Sequence, residues 1–409
     1  MDSSEWVSAL GRYAGRLHAN AGQSHHVVSP LGAWLVLALC APLTDGGARD
    51  ALADVLGAGP AQAAAFAASL LDGPHPLVAA GAGVWVSPVL ETEPVKEWVA
   101  RLPALVDIGD IPTQAEADAW VVRRTLGLID HFPLDLQDMA CLVASALATK
   151  VSWEVPFDVV GAEALGPGPW ADMLRHVLRP PRGDPRHRQY LTRTRRAGPV
   201  GVHLAGARGG LLVGSVVAAP EVAFTDVLAA AEEIVTAEAR KPGSVPTLSL
   251  ADLPLGDGPV WSLREETSDP SSAGGRRDEV VCVLPAWSAH TDLGLLGDES
   301  LGFGTAAQAI ADALKLAAPR FDARQSAMAR YSATGFEAAA VTVLGVRLSA
   351  MLTPQRRRVA TVRFAHPYAV VAAAYDDRQS PQASEVSGAW HGLPVFSAWV
   401  TEPADAGSL

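Results

Sequence analysis

Any catalysis or metal binding in this 409-residue chain would draw on its eleven histidines and three cysteines. Cys40, Cys141 and Cys282 stand far apart among apolar neighbours, so neither a disulfide framework nor a metal-ligand spacing is available, and they read as buried thiols. His25 and His26 precede the strand-like Val27-Val28; neighbouring strand residues point to opposite faces, so the pair does not share a metal. His187 and His203 have no carboxylate or thiol partner at useful spacing. There is no G-x-S-x-G elbow, no H-E-x-x-H, no phosphate-loop lysine and no G-x-G-x-x-G placed between a strand and a helix. The expectation is a protein that is not an enzyme, with no cofactor and no metal.

A different chemistry is offered by Gly335-Phe336-Glu337-Ala338-Ala339-Ala340-Val341-Thr342-Val343-Leu344-Gly345-Val346-Arg347-Leu348-Ser349-Ala350-Met351. At a period of two, Phe336, Ala338, Ala340, Thr342, Leu344 and Val346 share one uncharged face; Glu337, Ala339, Val341, Val343, Gly345 and Arg347 share the other. A half-buried strand fits this pattern, yet the alanine run has low strand preference and tolerates a loop equally. The segment predicts a loop able to become a strand. It lies between a strand-like Ala327 to Ser332 and a polar stretch from Thr353 to Arg358.

The elements that would position it change character along the chain. Trp6, Leu10, Tyr13 and Leu17 recur at helical spacing. Ser29 is placed to cap a buried helix from Leu31 to Leu43, with Pro30 in its first turn. A third helix ends at Leu56 before Gly57, and a fourth spans Ala61 to Leu71. Thr113 and Glu116 have capping-box spacing ahead of a fifth, carried by Ala119, Trp120, Val122, Leu126 and Ile129. Strands follow: Cys141 to Val151, a hairpin of Val200 to Leu204 and Leu211 to Ala218, then Glu279 to Leu284, Val362 to Ala374 and Leu393 to Val400. The fold class is α+β rather than alternating βαβ units. Residues 248–278 and 378–387, polar and without period, read as surface insertions in a single domain.

Composition sets the outer limits. Nearly half the residues are hydrophobic, 19% are charged and the mean hydropathy is +0.17, which describes a folded globular chain. Lys and Arg number 32 against 44 Asp and Glu, a net charge of −12 that repels nucleic acid and anionic membranes. Arg175, Arg179, Arg182, Arg186, Arg188, Arg193, Arg195 and Arg196 nevertheless crowd one stretch, as a polyanion site or as a solvated basic face. The N-terminal residues do not form a secretory signal, so a cytoplasmic location is expected. The longest apolar run, Leu31 to Leu43, is shorter than the roughly 20 residues of a membrane span.

The Gly-x-Glu-Ala-Ala-Ala-x-Thr of Gly335 to Thr342 resembles the reactive-centre loop hinge of serpins, and other segments agree in order. Val27-Val28-Ser29-Pro30-Leu31 is similar to the family's strand 6B and helix B, and Asp54-Val55-Leu56-Gly57 to the end of its next helix. Ala117 to Ile129 resembles the helix that covers the central sheet. Lys150 to Phe157 matches K-x-x-W-x-x-P-F, with Trp153 as its tryptophan, and Phe364 to Tyr368 and Leu393 to Pro403 match the closing strands. The resemblance spans Trp6 to Pro403. It implies the serpin fold: one domain of three β-sheets with eight to nine helices and an exposed reactive-centre loop.

It also implies a function. A serine protease, or a cysteine protease, attacks the loop, and the cut loop enters the central sheet as a new strand that carries the covalently bound enzyme with it. The protein would be a monomeric suicide inhibitor without catalytic residues. An extracellular location is the family's alternative to the cytoplasmic one. Insertion requires backbone freedom at Gly335 and small inward residues, met by Ala338, Ala340 and Thr342. Phe336 departs from the small residue usual there, which favours a non-inhibitory binding protein whose loop is merely cleaved. The position two before Gly335, usually Glu, is Ala333. At the shutter, Ser29 is kept, Gly32 replaces a usual Ser, Gln325 holds the usual histidine position, and Ser145 stands where Asn is usual. Hinge length places the reactive bond among Arg347, Leu348, Ser349 and Ala350. Arg347 suits a trypsin-like pocket, Leu348 a chymotrypsin- or subtilisin-like one, and Ser349 or Ala350 an elastase-like one. Arg356-Arg357-Arg358 reads as a lure for a trypsin-like protease or as an exposed polar connector.

Overall fold

A computed structural model describes residues 2–149, 152–207, 209–267, 278–335, 356–375 and 388–409. The N-terminal segment folds as α1 (Ser3–Ala21), whose capping box joins Asp2 and Glu5 and whose apolar face buries Trp6, Leu10, Tyr13 and Leu17. Strand β1 (His26–Val28) leads to Ser29, whose hydroxyl accepts the Gly32 N–H and caps α2 (Pro30–Cys40). This helix is apolar on every side because it runs through the centre of the molecule. It turns 3-10 over Ala41–Leu43, where Pro42 cannot donate the next helical bond. Next come α3 (Gly46–Leu56), stopped by Gly57 at φ +69°, and α4 (Pro60–Asp72).

The middle of the chain supplies β2 (Ala79–Val86), α5 (Glu93–Val99), β3 (Val106–Gly109), α6 (Gln114–Arg124) and β4 (Cys141–Ala148). The Thr113–Glu116 capping box is present, but α6 stops at Arg124 rather than near Ile129. Leu126 and Gly127 take left-handed φ, +56° and +76°, and Gly127 N–H returns to the Val122 carbonyl. Then follow β5 (Asp158–Gly161), α7 (Pro169–Met173), β6 (His176–Arg179), β7 (His187–Thr194), β8 (Gly198–Ala207), β9 (Leu211–Val217) and α8 (Phe224–Arg240). The C-terminal part adds β10 (Gly256–Asp257), β11 (Trp261–Thr267), β12 (Glu279–Val283), β13 (Trp287–Gly294), α9 (Phe303–Ala313), β14 (Arg324–Tyr331), β15 (Arg356–Arg363), β16 (Tyr368–Ala374) and β17 (Pro394–Val400).

The strands make three sheet regions, and the fold is the α+β arrangement expected. One is six-stranded, in the order β1-β17-β16-β9-β8-β7, with α8 packed on one face. A second joins β10-β11-β15-β12 to the pair β5-β6 through Leu178 and Leu284, which exchange backbone bonds of 2.7 and 2.9 Å. The third is parted into β3-β2-β4 and β13-β14. Helix α6 covers the first part through Trp120, whose ring meets Trp85 edge-on at 5.2 Å.

Two expectations need correction. Residues 248–278 do not form a wholly surface insertion: Trp261–Thr267 is an internal strand between β10 and β15, and Leu250, Ser262 and Leu263 are buried. Val362 to Ala374 is not one strand, since the chain leaves β15 at Arg363 and enters a different sheet at Tyr368, after Pro367. Residues 378–387 lie outside the described residues.

Candidate functional site at the parted sheet

Strand β4 pairs with β2, from Ala79–Ala148 to Val86–Cys141, and β14 pairs with β13, from Trp287–Tyr331 to Gly294–Arg324. Among the described residues neither has a partner strand on its other edge. Both free edges line one cavity of about 620 Å³, closed on other sides by α2, α9 and the chain after α6. Unpaired backbone groups along two such edges form a template for an added strand.

The two edges are fixed at both ends. At one end, Ser145 Oγ on β4 donates to the Gly32 carbonyl at 2.6 Å. On β14, Gln325 holds Ser29 twice: its Oε1 accepts the Ser29 N–H at 3.0 Å and its Nε2 donates to the Ser29 carbonyl at 2.8 Å. Ser29 Oγ donates in turn to Val395 on β17, at 2.9 Å. In these bonds Gln325 serves as a paired donor and acceptor.

At the other end the segment after β4 closes over the end of β14. Ser152 bridges to Gly335, the Trp153 N–H donates to Thr334 at 3.4 Å and the Phe157 N–H donates to Ala333 at 2.9 Å. Trp153 is buried, and its Nε1 donates to the Ser332 carbonyl at 2.9 Å. Ser145 and Gln325 share one level and Trp153 and Thr334 the other, so β4 and β14 run parallel. A segment that turns back after β14 would therefore lie antiparallel to both.

Gly335 stands at that turn with φ +86°, a left-handed value that disfavours side chains, and its carbonyl accepts the Ser332 hydroxyl at 2.5 Å. The expected loop beyond it, Phe336, Glu337, Ala338, Ala339, Ala340, Val341 and Thr342, lies outside the described residues. So do the bond candidates Arg347, Leu348, Ser349 and Ala350.

The chain is described again from Arg356, which is exposed, whereas Arg357 and Arg358 are not an exposed connector. Arg357 is buried between Glu279 at 3.0 Å and Glu266 at 3.6 Å, and Arg358 reaches the Leu250 and Ala251 carbonyls, each at 2.8 Å. Arg356 lies 3.8 Å from Glu265. The triplet anchors β15 to β11 and β12. In the Arg175 to Arg196 stretch, charge is partly neutralised: Arg186 pairs with Asp184 at 2.6 Å, Arg188 with the buried Glu238, and Arg196 with Asp226 at 3.7 Å.

Cys40 and Cys282 are buried and Cys141 half-buried; burial pushes the Cys141 thiol up to about 12 and the other two higher, so all three are poor nucleophiles. His25 and His26 do point apart. His25 bonds to the Ser288 carbonyl, while His26 is buried against His18, Nδ1 of His18 to Nε2 of His26, at 2.7 Å. Sequence reasoning missed the pairing of His18 with His26 and that of His187 with His203. His18 extends the apolar face of α1 next to Leu17, and alternation along β7 and β8 turns His187 and His203 inward; those were the available signals.

No family model and no curated protein sequence matches the chain. Solved structures match over almost its whole length. Human thyroxine-binding globulin complexed with its hormone is similar at 12% identity and a TM-score of 0.60, covering 98% of each chain. Serpin48 of the insect Tenebrio molitor is similar at 14% identity and 0.58, covering 99% of this chain and 100% of its own. The native stressed conformation of Arabidopsis AtSerpin1 is similar at 15% identity and 0.56, covering 98% and 99%.

Proposed function

The chain has the serpin fold, and we propose that it inhibits serine-type endopeptidases as a suicide substrate. The observation that carries this reading is the pair of free parallel edges, β4 and β14, with Gly335 at the head of the gap between them. A loop that leaves Gly335, is cut, and folds back would satisfy both edges at once. Each backbone hydrogen bond gained contributes roughly 0.5–1.5 kcal/mol net. A strand of about eight residues paired on both sides would release on the order of 10 kcal/mol, comparable with the stability of a whole domain. That is enough to drag a covalently attached protease along the sheet. The anchored triplet at Arg356 to Arg358 keeps the C-terminal side of the loop in place while the N-terminal side moves.

A second reading is favoured by Phe336. A bulky ring at the first inward position slows insertion, and slow insertion lets the protease hydrolyse the acyl-enzyme and leave. The protein would then be a serpin-fold binding module, as in the structure of thyroxine-binding globulin in complex with thyroxine. A polyanion on the unpaired arginines of the Arg175 to Arg196 stretch belongs to either reading.

Incubation with elastase-like, chymotrypsin-like, subtilisin-like and trypsin-like proteases, followed by a denaturing gel and the mass of the released C-terminal peptide, tests this. An SDS-resistant complex cut between Arg347 and Ala350 is expected. Clean cleavage there with no complex and no rise in melting temperature makes the binding module the better reading. Phe336→Thr should raise the fraction that forms complex. If it does not, the hinge ring is not the impaired part.

A further inference from the structure

Helix α2 runs through the centre of the molecule, yet one of its 11 residues, Val36, is not fully buried. It lines the cavity between β4 and β14, as do the half-buried Val143 of β4 and Ala307 and Ile310 of α9. With Phe303 and Leu314 these side chains make a hydrocarbon trough on the side of the sheet away from α6. The unpaired backbone groups of the two edges point along the plane of the sheet, so a guest in the trough leaves them untouched. The cavity, about 620 Å³, is of the size that holds a small organic ligand.

Its walls select the chemistry of that guest. Each of the five uncharged polar side chains that line it already bonds within the protein: Ser29, Ser145 and Gln325 to backbone groups, Thr125 to the Val121 carbonyl at 2.7 Å, and Ser326 to His290 at 3.1 Å. A polar guest would lose its water without replacement, so the walls favour hydrocarbon. The space is also held open by backbone strain. All three non-glycine residues with left-handed φ among the described residues border it: Leu126 beside Thr125 at +56°, Asp138 at +59°, and Lys315 between Leu314 and Leu316 at +58°. Such conformations persist where their surroundings impose them and gather at ligand clamps. Charge marks one lip. Arg320 and Phe321, on the chain entering β14, are exposed; Arg324 pairs with Asp322 at 3.4 Å, whereas Arg320 has no ion pair among the described residues. Asp138 lies on the chain entering β4, so an anion is favoured on the β14 side.

We propose that the trough binds a medium-chain fatty acid, its chain along α9 and its carboxylate at Arg320. The bound chain takes the space that the inward side chains of an added strand need, and so holds the gap against insertion. That consequence rests on the strand-accepting reading of the gap; the binding does not.

Calorimetric titration of the full-length protein without protease, with octanoate, nonanoate and decanoate below micelle concentrations, tests the site. Each added methylene should tighten binding about fourfold. Arg320→Gln should weaken decanoate about threefold and leave decanol unchanged. Ala307→Phe fills the trough and should abolish saturable binding of both; should it not fold, Val36→Phe takes its place. No saturable binding, an affinity independent of chain length, or binding that survives the filled trough overturns the site. Equal weakening of decanol and decanoate by Arg320→Gln overturns the placement of the carboxylate. Decanoate should also slow complex formation with any protease of the panel that forms one, and an unaltered rate overturns the control of insertion while the binding stands. If no protease forms a complex, the inhibitory reading and the control of insertion fall together and the binding again stands.

Discussion

Ser145 and Gln325 stand on opposite edges of the gap and both bond to the first turn of α2, Ser145 to the Gly32 carbonyl and Gln325 to the Ser29 backbone. The buried central helix is thus a common post for the two half-sheets. Spreading or closing the gap at this level must stretch or exchange these bonds.

Gln325→Ala removes a donor and an acceptor together and leaves the Ser29 N–H unpaired, while the Ser29 carbonyl keeps only its bond from the Ala33 N–H. The expected cost is about 2 kcal/mol, read as a lower midpoint in urea denaturation with an unchanged slope. Ser145→Ala, which removes one bond, should cost about half as much. An equal or larger effect at Ser145 would show that Gln325 is not the main tie.

Trp153→Phe keeps the tilted ring contact with Tyr331, whose centroid is 5.0 Å away, and removes the Nε1 donor to Ser332. A loss of about 1 kcal/mol is expected. The loosened closed end should also raise the number of inhibitor molecules consumed per protease or speed loop insertion. Titration of residual protease activity measures both, and no change in either would remove Trp153 from the control of the gap.

Acid should destabilise the fold. Burial lowers His18, His26, His187 and His203, with His18 pushed down to about 3. Above about pH 6.5 these rings are neutral folded and unfolded, and they add no pH dependence. Below it the unfolded chain takes up protons that the folded chain refuses, so stability falls as pH falls, and for His18 the fall continues to about pH 3. Between pH 6.5 and 5.0 each histidine that stays neutral should remove about 2 kcal/mol. Denaturation at pH 7.5 and 5.0 checks this, and equal stability would contradict it.

Glu232 on α8 should act in the opposite sense. Gly11 of α1 lies against its Oε1, which has no hydrogen-bond partner among the described residues, and burial pushes the carboxyl up to about 8. Its raised value makes stability present at about pH 4.5 and progressively lost as pH rises toward 8. Glu232→Gln should therefore stabilise the protein by about 1–3 kcal/mol at pH 8 and by almost nothing at pH 4.5. A constant difference across that range would refute the explanation.

The elements that announce themselves locally were legible. Thr113 with Glu116, Ser29 with Pro30, and Gly57 each combine a cap with an apolar period, so α6, α2 and α3 begin or end within a few residues of expectation. Misreadings fall where neighbours decide. Leu126 fits the period of α6 but takes a left-handed turn, and β11 looked like polar insertion because its pairing partner, β15, lies about a hundred residues away in sequence.

The sequence by itself determined an α+β fold, a glycine at a strand end ahead of an alanine run, and the residue types at positions 29, 145, 153 and 325. Those properties reside in short windows, where periodicity and side-chain size are read directly. Only the tertiary structure decided that β4 and β14 are parallel with their facing edges unpaired among the described residues, and that Gln325 grips the Ser29 backbone. The same holds for the His187–His203 bond and for the burial of Arg357 between two glutamates. The physical reason is common to all four. A hydrogen bond or ion pair between residues far apart in sequence depends on distances of a few ångströms, which no local pattern encodes.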